Sequence, residues 1–209
     1  MHHLIFDIDG TLVESFKFDK VIYCQSIEKI TGIKIDNNWS SYQHVTDDGI
    51  LNEVISTNGL DADEIRKKVK QMFTQKISNY VNQNRILEVP GAIQFIDRIS
   101  KVENVQVSFA TGGWYETAIL KLDSAGFNFS KQNVFSSNDH YKRTEIMKLA
   151  GSRLRNHNDY SCTYFGDAEW DKQACKELEV NFVLVGNRAT YSQQINDFTS
   201  FEKITSFIL

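Results

Sequence analysis

Five short apolar runs constrain this chain more than any other feature: LIF at 4–6, VQVSFA at 105–110, NVFS at 133–136, CTYF at 162–165 and FVLV at 182–185. Each is too short for a helix and too apolar for a sheet face open to water. Helical patterns over Thr117–Ala125, Thr144–Leu154 and Trp170–Leu178 separate the last four, and Gly126 stops the first of these helices. Alternating buried strands and helices predict an α/β fold, a parallel sheet covered by helices on both faces.

Residues 14–89 follow a different rule. They carry helical spacing and no convincing strand. Phe18, Val21, Ile22 and Ile30 mark one amphipathic helix, stopped by Gly32. Thr46 is placed to cap a second, with Ile50, Leu51, Val54 and Ile55 on its apolar side. Asp61, with Glu64 three residues later, opens a third, which carries Ile65, Val69, Met72, Phe73, Ile77 and Tyr80. The single proline, Pro90, then marks a boundary. The expected organisation is a core of residues 1–13 and 90–209 with a helical insert over 14–89.

In open parallel sheets, ligands gather beyond the carboxyl ends of the strands. Four features fall there. Asp7 and Asp9 follow the first strand, and Thr111-Gly112-Gly113 follows the second. Lys142 lies in the loop after the third, and Asp167, with Asp171 four residues on, follows the fourth. Clustered carboxylates repel one another unless a cation sits among them. Oxygen donors without paired His or Cys favour a hard ion, and Mg²⁺ is the usual choice. One carboxylate can then act as nucleophile on phosphorus and a second can move the proton. A Thr hydroxyl, a Lys and backbone N–H groups can hold the phosphoryl oxygens. Taken singly, each acid reads as an ordinary turn or cap residue.

The motifs resemble those of the haloacid dehalogenase superfamily. DIDGTL is similar to its first motif, DxDGTL; SFATGG to its second; Lys142 in HYKRTEI to its third; and YFGDAEWD to its fourth, GDxxxD. PGAIQFIDRI resembles the re-entry into the core after a cap. The resemblance implies a Rossmann-like core with a small helical cap, as in phosphoglycolate-phosphatase-like and phosphomutase-like members. It makes Asp7 nucleophile and metal ligand. Asp9 becomes the general acid/base and offers the metal its carbonyl. Thr111, Gly112 and Lys142 hold phosphate, Asp167 completes a Mg²⁺ site, and Asp171 supports it. Arg143 and Lys148 compete with Lys142, which is favoured as the nearest to the sheet edge. Dehalogenating relatives lack the second acid, so Asp9 argues for phosphoryl transfer.

The implied activity is hydrolysis of a small phosphorylated metabolite, with a phosphomutase as the alternative. An Asp-phosphorylated receiver or a silent binding protein is a more remote reading. Within the insert, His44 and Asp47 are candidates to meet substrate, as is Tyr115 beside the second motif, whereas Trp114 is read as packing. Glu14 and Ser15 fall where the superfamily places a flap. His140 and His157 read as surface residues, and RKKVKQ at 66–71 as a solvated helix face. A formal net charge of −4 gives no basic face for nucleic acid. No apolar run nears the roughly 20 residues that cross a bilayer. The N-terminus lacks signal-peptide features. Three cysteines without metal-like spacing fit a reducing, cytoplasmic setting.

Overall fold

The computed structural model describes residues 1–152 and 161–208. The first strand, β1 (His2–Phe6), is followed by three helices, α1 (Phe16–Thr31), α2 (Asp47–Asn58) and α3 (Ala62–Gln83). After α4 (Ala92–Ile99) come β2 (Val105–Ala110), α5 (Tyr115–Ala125), β3 (Val134–Phe135) and α6 (Arg143–Gly151). The described chain ends with β4 (Ser161–Gly166), α7 (Glu169–Leu178), β5 (Asn181–Val185), β6 (Gln194–Ile195) and α8 (Phe201–Thr205). The end of the helix expected to reach 154, and His157, lie outside the described residues.

The six strands form one parallel sheet in the order β3-β2-β1-β4-β5-β6. β1 lies in the middle, with His2 level with Val105 of β2 and Ser161 of β4. Successive side chains of a strand point to opposite faces. Leu4 and Phe6 therefore join one apolar cluster with Phe95 of α4 and Leu122 of α5. Ile5 joins another with Ile146 of α6 and Ala174 of α7. Both faces are covered, as the apolar runs predict. The two-residue β6 and the short α8 were not among the expected elements: each is too brief to carry a readable period.

The helices of 14–89 form where the caps and spacings indicate. Gly32 ends α1 in the left-handed conformation (φ 74°). The Thr46 side chain accepts from Gly49 N–H, and Asp61 accepts from Glu64 N–H. α1, α2 and α3 bury their apolar faces in a third cluster, around Tyr23, Leu51 and Phe73. Trp114, from the loop between β2 and α5, is fully buried in that same cluster, so it packs, as the sequence suggests.

Candidate active site

Parallel β1 and β4 bring the first and fourth motifs side by side. Asp7 N–H donates to the Phe165 carbonyl at 2.9 Å, which seats the start of the first loop against the end of β4. Gly10 turns the chain with φ 88°, and a Cβ there would run into the Asp167 carboxylate. Only glycine fits both demands. Asp7, Asp167 and Asp171 thus become neighbours, all buried, each offering a carboxylate oxygen within 4.8 Å of the others.

Burial of so many acids has an electrostatic consequence. Desolvation, with Asp171 close by, pushes the Asp7 carboxyl well above its ordinary range, against the pull of Arg143. Asp167 is pushed up to about 7, first by burial and then by Asp171. Asp171 is raised as well, chiefly by burial. A buried, all-oxygen donor set whose charges oppose one another fits a hard divalent cation such as Mg²⁺.

Arg143 meets two of these acids. Its guanidinium lies 2.9 Å from Asp171 Oδ1 and 3.4 Å from Asp7 Oδ1, and it donates to Tyr164 Oη and the Val45 carbonyl. This corrects the expectation for Lys142. Lys142 is the extended residue just before α6 (φ −95°, ψ 126°), and its ammonium lies over the Tyr141 ring in a neighbouring cavity. Helix α6 starts one residue later and sends the next side chain inward. Adjacent residues at a helix start leave in different directions, so nearness to the sheet edge does not by itself choose between Lys142 and Arg143.

Thr111 and Gly112 line the same cavity as Asp7, Asp9 and Asp167. The buried Thr111 hydroxyl accepts from Gly113 N–H at 3.0 Å, which leaves its own hydrogen to donate. A Cβ on Gly112 would come within 2.5 Å of the Arg143 guanidinium and 2.9 Å of the Val45 carbonyl. Asp9 and Asp47 share the cavity with Asp7, Thr111 and Asp167. The cavity is about 70 Å³, with Phe16, Tyr23, Trp39 and Trp170 among its walls. Asp47 accepts from Trp114 N–H, and its own N–H reaches the Gly112 carbonyl at 2.7 Å.

Two substrate candidates fall elsewhere. Tyr115 lines a shallow surface depression between α3 and α5. His44 packs edge-on to Tyr141 and lines the cavity of Lys142, not that of the acids. Burial and the nearby Lys142 lower its pKa. The structure also adds residues that the sequence reading passed over. Arg188, in the loop after β5, donates to Asp167 and stacks on Phe16. It obeys the same strand-end rule as the acids and could have been found by it. Lys121, Ser15 and Asp19 gather around Asp9. Glu14 is exposed and Ser15 fully buried, so only the former is placed as a solvent-facing flap residue would be.

Comparison with known proteins places the chain in a family. The family model for haloacid dehalogenase-like hydrolases matches residues 4–185. The chain belongs to that family. The haloacid dehalogenase-like fold recurs in solved structures of low sequence identity. A hydrolase from Pseudomonas syringae is 23% identical with a TM-score of 0.70, covering 88% of this chain and 84% of that one. CbbY from Rhodobacter sphaeroides, solved in complex with phosphate, is 13% identical with a TM-score of 0.71, and 94% of each chain is covered. The β-phosphoglucomutase of Clostridium difficile is 17% identical with a TM-score of 0.70, covering 98% and 96%. No curated protein matches the sequence. No helix among the described residues is long and apolar enough to cross a membrane.

Proposed function

We propose that this haloacid dehalogenase-like enzyme is a Mg²⁺-dependent phosphatase of a small phosphorylated metabolite, working through an aspartyl phosphate on Asp7. The observation that carries the reading is the buried Asp7, Asp167 and Asp171 cluster, set beside Asp9, Thr111 and Arg143 at the strand ends. Asp7, Asp167 and the Asp9 carbonyl would hold Mg²⁺, with Asp171 in support. When bound, the ion would neutralise the acids and draw electron density from the phosphoryl oxygens.

In the first half-reaction an Asp7 carboxylate oxygen attacks phosphorus. The bond to the leaving oxygen breaks as Asp9 gives that oxygen its proton. In the second, Asp9 takes a proton from water, the water oxygen attacks phosphorus, and Asp7 is released with inorganic phosphate. Arg143 and the Thr111 hydroxyl would bind the transferring phosphoryl group, with the Gly112 N–H as a further donor. Arg143 would also support Asp171, in the place first given to Lys142. Residues 14–89 would act as a cap that keeps bulk water out. Glu14 would belong to the flap that opens. We infer a setting without nucleic acid or membrane, in the cytoplasm.

The test is phosphate release from a panel of phosphometabolites with Mg²⁺. Asp7→Asn should lose at least about a thousandfold in turnover while folding normally, since it removes the nucleophile. Full turnover by folded Asp7→Asn would overturn the reading. Isomerised sugar phosphate without phosphate release would replace it with a mutase.

A further inference from the structure

Lys121 lies on α5, away from the strand ends, and its side chain is fully buried. Nζ donates to Asp9 Oδ1 at 2.5 Å and to Asp19 Oδ1 at 2.7 Å. A buried ammonium is costly unless paired. Here desolvation pushes its pKa down, and Asp19 and Asp9 more than reverse that, leaving it above an ordinary lysine. Its two partners come from different parts of the fold. Asp9 stands in the loop after β1, and Asp19 stands on α1.

The carboxylate of Asp9 is divided by these contacts. Oδ1 receives both Lys121 and the Ser15 hydroxyl. Oδ2 faces the other way: a Cβ placed on Gly113 would lie 3.5 Å from Asp9 Oδ2, 3.5 Å from Thr111 Oγ1 and 3.8 Å from Asp47 Oδ2. That space, beside the Thr111 hydroxyl, is part of the cavity that the proposed phosphoryl group would enter.

We infer that Lys121 is a positioning residue, which ties down Oδ1 of Asp9 so that Oδ2 is the oxygen presented to the leaving group. Through Asp19 the same ammonium makes this alignment depend on α1 being seated against the core. The inference rests on Asp9 being the general acid/base. Lys121 itself touches neither phosphorus nor the leaving oxygen, so its loss falls on the proton-dependent step alone.

The experiment compares two esters in a single turnover, reading release of the alcohol. One is p-nitrophenyl phosphate, whose phenolate departs with little need of a proton. The other is the alkyl phosphate of the panel that turns over fastest. In Lys121→Met, alcohol release from the alkyl ester should slow by about a hundredfold or more, the range of one lost acid/base. Release of p-nitrophenol should change by less than about fivefold, and Lys121→Arg should restore most of the alkyl rate. Ser15→Ala and Asp19→Asn, which each remove one neighbour, should shift the ratio the same way by less, and they carry the test if Lys121→Met does not fold. Equal slowing of both esters, or of neither, in folded variants overturns the inference and leaves the phosphatase reading intact. No Asp7-dependent release from either ester in the wild type overturns both.

Discussion

A guanidinium at position 143 touches Asp7, Asp171, Tyr164 and a carbonyl of the helical segment from one side chain. Neither Lys142 nor a shorter cation could make four contacts in that planar fork geometry. Arg143→Ala should therefore lower kcat by about a hundredfold or more, the cost of removing a donor aimed at developing charge. Arg143→Lys should recover little of it. Lys142→Ala should stay within about twofold of the wild type, because its ammonium sits over Tyr141 in the next cavity. Steady-state kinetics on the three variants decide between adjacent residues. Lys142→Ala with the larger defect would return the role to it.

Thr46 shows the same economy in an element. Its hydroxyl oxygen caps α2 by accepting from Gly49 N–H at 3.0 Å, and its hydrogen goes to the Tyr141 carbonyl at 2.6 Å. Thr46→Ala should cost about 1–2 kcal/mol, a lost cap plus a carbonyl left without its donor. For a chain of this size that is a fall in Tm of about 2–8 °C. The cap was legible in the sequence, because a Thr ahead of an apolar helical pattern has one common use. The five principal strands were legible for a similar reason, as were the acids at their ends. Two of the residues that escaped were decided by direction, not by pattern. Lys121 occupies one position of an amphipathic helix and could equally have faced water; only the seating of α5, which lies against α3, turns it toward Asp9 and Asp19. Arg143 and Lys142 share one motif, and the start of α6 sorts them. β6 and α8 are too short for periodicity to speak.

Over the whole molecule the cluster of acids is a stored repulsion, held in place by β1, β4 and the turn at Gly10. A ligand that binds only the folded state stabilises it by mass action. Mg²⁺ at about a hundred times its Kd should add about 2.7 kcal/mol. The accompanying rise in Tm should be about 5–11 °C at about 2–4 °C per kcal/mol. Asp167→Asn should remove most of that rise in a thermal-shift titration, and chelation should reverse it in the wild type. An equal rise in Asp167→Asn would place the ion elsewhere.

The central position of β1 bears on how the chain is made. His2 of β1 lies level with Val105 on one side and Ser161 on the other, so β1 leaves the ribosome well before the two strands it pairs with. Contacts of such long sequence separation form slowly. α1, α2 and α3 bury much of their apolar surface against one another, with Trp114, Leu120 and Trp170 joining that cluster, so part of it is available early. During synthesis the helical segment can collapse while LIFDIDG still waits, exposed, for β2 and β4. Asp7 leaves the ribosome long before Asp167 and Asp171, so the cluster of three acids cannot form until the chain beyond β4 has been made.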